Sequence, residues 1–275
     1  MDGKKKSSIG VISRLQEDGH NVDVVSKFGL DCCQVVSWDC SLCRSEVASS
    51  LKQRAADQGV RISAFWAGVP GPARWNFTQG PVTLGLVPAE FRWVRLEALK
   101  RWADFAAEIG APAIVTHCGF LPENMTDPEF EPLCVAIHEI GNYCKQLNLG
   151  FWFETGQETP VTLLRFIEAV GLDNLGINLD PANLLMYGRG NPIDALDVFG
   201  KYVRCLHAKD GDVPTTGTHL GPEKKVGEGK VRFPEFMEKL FSKGFDGDLI
   251  IEREISGEQQ NKDIADTVVY LKRFL

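Results

Sequence analysis

Eight short runs of β-branched and apolar residues, each followed by a segment of helix length, succeed one another along the 275-residue chain. The strand-like runs fall at 8–13, 32–38, 60–66, 113–116, 149–153, 175–179, 202–206 and 248–251. Helix-like stretches follow at 22–28, 45–56, 89–109, 128–147, 160–170, 192–199, 233–242 and 263–274, with Gly29, Gly59 and Gly110 as stops after the first three. Parallel strands need a crossover between them, and crossovers of this kind are right-handed. Eight such units predict an α/β chain closed into a single (β/α)8 TIM barrel, one domain over 1–275 with a flexible tail at 1–7. The roughly 250 residues of that architecture match the chain length. A doubly wound open sheet is the other arrangement the alternation allows.

All strands of such a barrel point the same way, so their carboxyl ends meet on one face. The residues closing the fourth to eighth strands are, in order, His117, Glu154, Asp180, His207 and Glu252. Strand alternation sets Glu154 on the face of Trp152, and Asp180 on that of Asn178 and Gly176, all turned into the barrel mouth. Carboxylates buried there without partners are costly, and one divalent cation compensates several together. Glu154, Asp180, His207 and Glu252 are therefore the predicted ligands of one divalent metal ion. Three oxygen donors and an imidazole leave room in an octahedral shell and suit Mn2+, with Mg2+, Co2+ or Zn2+ as alternatives. The open positions match the adjacent oxygens of a hydroxy-ketone, whose enediolate the cation would stabilise while a glutamate moves the proton.

Taken singly, each residue has a plainer reading. Glu252 can pair with Arg253, Glu154 can cap a turn, and Asp180 before Pro181 can be a turn carboxylate. Their joint placement at strand ends carries the metal reading. His117 reads equally as a satisfied rim histidine or as a substrate contact.

Between residues 67 and 88 the chain carries Pro70, Gly71, Pro72, Gly80, Pro81 and Gly85, which marks a candidate lid or substrate loop. Trp66, Trp75 and Phe77 are its candidate sugar-ring platforms. Cys32, Cys33, Cys40 and Cys43 cluster, but no second spaced pair or nearby histidine completes a zinc site, and reduced thiols are expected. Thirty basic against 37 acidic side chains, a net charge of −7, argue against a nucleic-acid partner. No apolar run approaches the roughly 20 residues of a membrane span, and Lys4-Lys5-Lys6 leads into a strand rather than a signal core. A soluble, cytoplasmic protein with no membrane partner is expected.

The segments Phe153-Glu154-Thr155, Leu179-Asp180-Pro181-Ala182-Asn183-Leu184, Leu206-His207-Ala208-Lys209-Asp210, Val226-Gly227-Glu228-Gly229 and Ile251-Glu252-Arg253-Glu254 carry a likeness. The chain resembles the xylose isomerase-like barrel superfamily, in particular the sugar phosphate isomerase/epimerase group that includes ketose 3-epimerases and inosose-type isomerases. That resemblance implies one divalent metal on Glu154, Asp180, His207 and Glu252, with Glu154 and Glu252 as the catalytic acid/base pair on opposite faces of the substrate. It implies a metal-dependent isomerase or epimerase acting on a ketose, sugar phosphate or cyclitol ketone by proton transfer through a metal-bound enediolate. Its partner would be a small-molecule carbohydrate, and a homo-oligomer is in keeping with the group.

The chain also departs from the epimerases. Asn183 stands where they usually carry histidine, and Val213 where they carry a substrate arginine. Asn183 still offers hydrogen bonds to a hydroxyl, and Lys209 is a candidate replacement for the arginine, the alternative being a plain pair with Asp210. With His117 and Trp66 these make up the predicted substrate contacts. The AP endonuclease branch of the superfamily needs extra histidines after strands three, six and seven; Trp66, Asn183 and the 212–221 loop, His219 apart, do not supply them. A lyase, dehydratase or 3-oxo-glycoside-cleaving enzyme with the same metal and enolate chemistry stays open, as does a non-catalytic sugar-binding barrel.

Overall fold

A computed structural model describes residues 7–275, so the predicted tail, Ser7 apart, lies outside the described residues. The barrel strands are β1 (Ile9–Arg14), β2 (Cys32–Ser37), β3 (Arg61–Ala67), β4 (Ala113–Thr116), β5 (Gly150–Glu154), β6 (Leu175–Leu179) and β7 (Val203–Ala208). After a short antiparallel pair, β8 (Asp210–Gly211) and β9 (Glu223–Lys224), β10 (Asp248–Ile251) completes the set. The eight barrel strands are parallel and close in the order β1-β10-β7-β6-β5-β4-β3-β2. The expected (β/α)8 barrel is thus the observed fold, and the open sheet is not.

The helices are α1 (Asp23–Lys27), α2 (Ser45–Asp57), α3 (Ala89–Ile109), α4 (Phe130–Gln146), α5 (Pro160–Val170), the short α6 (Pro181–Met186), α7 (Pro192–Phe199), α8 (Phe233–Ser242) and α9 (Glu258–Leu271). Three of them begin on one local device, a side-chain cap followed at once by proline. Thr159 accepts from Thr162 N at 3.2 Å, Asp180 from Asn183 N at 2.8 Å and Asn191 from Ile193 N at 2.8 Å. Proline at that point loses no helix bond, because its missing N–H would have been unpaired.

Strand alternation divides the apolar residues into two layers. In β3, Phe65 faces outward onto Trp102 and Phe105 of α3, with ring centroids 4.8 and 5.3 Å away. Its neighbours Ala64 and Trp66 turn inward to meet Val115, Val36 and Trp152 in the lumen. Gly176 makes room for that inner layer, since a Cβ there would come within 2.6 Å of the Trp152 ring. Removing the Phe65 ring is expected to cost about 3–5 kcal/mol, the usual range for a fully buried aromatic.

Several boundaries differ from the sequence reading. The helix expected at 128 begins at Phe130, because Asp127 first closes a turn by accepting from Glu129 N at 2.8 Å. The last helix begins at Glu258 rather than 263, after Gly257 at φ 85° turns the chain. Helix α6 and the β8–β9 pair were not anticipated; both are too short to show a period. The 67–88 stretch is tied down from below. The buried Arg95 guanidinium donates to Pro70 O, Gly85 O and Pro72 O at 3.0, 2.6 and 2.9 Å, and Trp102 Nε1 donates to Gly68 O at 2.9 Å. This loop walls the barrel mouth.

Candidate metal centre

The carboxyl ends of β5, β6, β7 and β10 bring four chemistry-bearing residues together. Glu154 is the last residue of β5, Asp180 and Glu252 stand one past β6 and β10, and His207 is the penultimate residue of β7 rather than the residue after it. Glu154, Asp180, His207 and Glu252 each offer a ligand atom, and these atoms lie within 4.8 Å of one another. Among the described residues no other group of three or more His, Cys, Asp or Glu approaches this closely. The eight cysteines are free thiols, and Cys43 Sγ donates to Arg101 O at 3.1 Å.

His207 shows how the site is set. Its Nε2 lies 2.7 Å from Gln34 Oε1, and an amide oxygen only accepts, so Nε2 carries the hydrogen. Its Nδ1 points at Glu154 Oε1 (3.3 Å) and Glu252 Oε2 (3.1 Å) without forming a hydrogen bond. Gln34 is held in turn by donating to Asn178 Oδ1 at 3.0 Å. All three residues are fully buried. Gln34 was missed by the sequence reading; the only sign was one amide in the apolar run Cys32–Ser37.

Around Glu154 the contacts are dense. Oε2 accepts from Trp66 Nε1, while Oε1 faces His117 Nε2 at 3.3 Å and Asn183 Nδ2 at 3.5 Å. Trp66 is only 6% exposed, so it serves Glu154 more directly than it offers a ring face. Phe77 packs edge-on to Tyr187, 6.1 Å away. Lys209 turns into the site instead of pairing with Asp210. Its Nζ lies 2.8 Å from Glu254, 3.4 Å from Glu252, 3.6 Å from Asp180 Oδ2 and 3.5 Å from Asn183 Oδ1. Asp210 instead accepts the backbone N–H groups of Gly211, Gly227, Gly229 and Val231, folding the Val226–Gly229 motif over the barrel. Arg253 pairs with Glu223 at 3.0 Å and Asp263 at 2.8 Å, which leaves Glu252 free of it.

Burial tends to keep these carboxyls neutral, and their neighbours decide the outcome. At Glu154 burial is outweighed by His117 and His207, and the carboxyl sits well below its ordinary range. At Glu252 burial is outweighed by Lys209 and His207, and its pKa falls to about 2. Asp180 goes the other way, to about 7, because burial and the charges of Glu252 and Glu154 exceed the help from Lys209. Burial would lower the His207 pKa, yet Glu154 and Glu252 hold it well above the ordinary imidazole value. Glu158, buried nearby and not anticipated, is pushed by desolvation to about 7.

The donor set fits a divalent cation. Asp180 Oδ2 and His207 Nδ1 are buried and lack hydrogen bonds, and both belong to the four-atom group. Glu154, Asp180 and Glu252 converge there, with Glu254 beside them, against the single Lys209 ammonium, an excess of carboxyl groups that a divalent ion would offset.

Fold and site together define a (β/α)8 barrel with a metal-compatible acidic centre at the carboxyl ends of its strands. The chain belongs to the xylose isomerase-like TIM-barrel family, whose model matches residues 22–274. It is similar to a xylose isomerase domain protein of Planctomyces limnophilus, with 33% identity, a TM-score of 0.92, and 98% of this chain covering 97% of that one. A D-tagatose 3-epimerase-like protein shares the fold at 22% identity and a TM-score of 0.73, over 97% of this chain and 98% of the other. A protein of Methanocaldococcus jannaschii, itself uncharacterised, is 28% identical over 191 residues, which is 64% of this chain and 60% of the relative's length. No helix among the described residues is long and apolar enough to cross a membrane.

Proposed function

We propose that the protein is a divalent-metal-dependent isomerase or epimerase of a sugar or cyclitol ketone. The observation that carries this reading is the convergence of buried Glu154, Asp180 and His207 with half-buried Glu252, with two of the ligand atoms left without hydrogen bonds. These four residues would hold the cation, and Mn2+ suits their three oxygens and one imidazole, with Mg2+, Co2+ or Zn2+ as alternatives. When bound, the ion supplies positive charge to two adjacent substrate oxygens, which favours loss of the proton from the carbon beside the carbonyl.

The chain's own residues do the rest. Glu154 and Glu252 are the pair that takes and returns the proton; two carboxylates allow delivery to the face opposite the one that lost it. Their lowered pKa values keep both ionised, ready to accept. His117, Asn183 and Lys209 surround the same space and would fix the substrate hydroxyls, and Trp66 aims the Glu154 carboxylate. Uncharged ketones are favoured over sugar phosphates. Lys209 and Arg253 are already committed to carboxylates, which leaves Arg14 as the cavity-lining cation with no ion pair among the described residues.

Incubation with ketoses, inososes and oxidised glycosides in deuterated water tests the reading. Solvent deuterium beside the carbonyl in a product of unchanged skeleton is expected. Product without solvent label would reject proton transfer, and loss of a leaving group would identify a lyase instead.

A further inference from the structure

The cavity above the metal centre is larger than work on one sugar ring requires. Its volume of about 820 Å3 lies high in the roughly 300–1,000 Å3 range of sites that bury drug-sized ligands, and a ketohexose is smaller than those. One side of it is a flight of three indoles. Trp66, beside Glu154, is 6% exposed; Trp38 and Trp75 further out are 37% and 39% exposed, and all three line the cavity. Trp38 meets Trp66 at a centroid distance of 4.7 Å, tilted by 47°, and Trp75 meets Trp38 edge-on at 5.9 Å.

The two outer rings are held in place although each is more than a third exposed. Gly68 lies against Trp38, where a Cβ would come 2.8 Å from the ring atom Cδ2. Trp75 stands edge-on to His117 at 5.0 Å, in the loop that Arg95 ties down. Positioned aromatic faces in a concave site are unlike apolar side chains scattered singly on a surface. Arg14, Ser256 and Gln260 add polar groups to the same cavity.

We propose that Trp38 and Trp75 form a second subsite, which takes a ring attached to the reacting sugar ketone. The substrate is then a ring-bearing glycoside-type ketone and not a free ketose. This rests on the proposed function, since the metal centre would hold the ketone end. The flat C–H face of a sugar and the face of an aryl group both pack on indole, and the test below separates them.

Calorimetry on the Mn2+-loaded protein with 3-oxo derivatives of methyl, phenyl and glucosyl glucosides decides the matter. The phenyl or the glucosyl ligand is expected to bind about tenfold tighter than the methyl ligand, and whichever gains identifies the ring. In the W38A/W75A variant that gain is expected to shrink to about twofold or less, with the Mn2+ affinity and the methyl ligand affected by no more than about twofold. Should the double variant fail to fold, W75A alone is expected to lose at least about threefold of the gain. Equal affinity for all three ligands, or a gain that survives both replacements, overturns the subsite. Failure of every ligand to bind a protein that does hold Mn2+ overturns the sugar-ketone reading, and the subsite with it.

Discussion

The two ends of the barrel handle buried charge in opposite ways. At the amino-terminal end, Arg61 at the start of β3 reaches Asp248 at the start of β10 through two hydrogen bonds of 2.6 and 2.7 Å. Donors and acceptors there match, and the pair serves the fold. At the carboxyl-terminal end, three carboxylates crowd one lysine and one imidazole, and Asp180 Oδ2 and His207 Nδ1 have no hydrogen bond. Charges matched one for one stabilise a barrel; a surplus of carboxyl groups at the strand ends is poised for something not made of protein.

The contrast is broken most severely by removing an acid/base group. Glu252→Gln is expected to slow solvent-deuterium uptake into a bound sugar ketone by about 10²–10⁴-fold, with folding in chelator retained, read by mass spectrometry and thermal melts. Proton linkage gives the next effect. In the metal-free protein His207 is protonated at neutral pH, because its raised pKa keeps the proton that metal must displace. Below about pH 7 Asp180 carries a second proton. Metal affinity should therefore rise with pH, by up to about a hundredfold per unit below pH 7 and about tenfold per unit above it. Titrations in buffers of different ionisation enthalpy count the protons released.

Gln34→Met, which removes the acceptor behind His207 Nε2, is expected to weaken metal binding by about 10–100-fold, whereas Gln34→Glu retains an acceptor and should restore most of it. Chelator competition measures both. At the other end of the barrel, Arg61→Met should cost about 1–3 kcal/mol of stability, a figure discounted because the Arg61 side chain is 41% exposed. Metal affinity should stay within about twofold, since the pair is remote from the site. Lys145→Ala removes a surface pair with Asp173 and should leave the denaturant midpoint unchanged.

Much of this contrast was legible in the chain itself. Strand and helix periods differ, so eight alternations were visible, and the residue at each strand end could be read off directly. Glu154, Asp180, His207 and Glu252 do converge, although His207 sits inside its strand and not beyond it. What could not be read depends on contacts between distant segments. Gln34 meets His207 across 173 positions, Arg95 ties a loop 10 to 25 residues behind it, and Lys209 chose Glu254 over its neighbour Asp210. Helix α6 was invisible for another reason: six residues from Pro181 do not complete two turns, so no period emerges. From the chain alone Trp38 is only the end of a strand, because its exposure depends on Trp66 and Gly68 from the next strand and loop.

Titration of the metal-free protein with Mn2+, followed by the paramagnetic signal of the free ion, reports directly on whether Glu154, Asp180, His207 and Glu252 hold a cation. One ion bound per chain is expected, with Asp180→Asn and His207→Ala each losing most of that affinity while still folding. A wild-type protein that takes up no stoichiometric ion, or variants that bind as tightly as wild type, would contradict it.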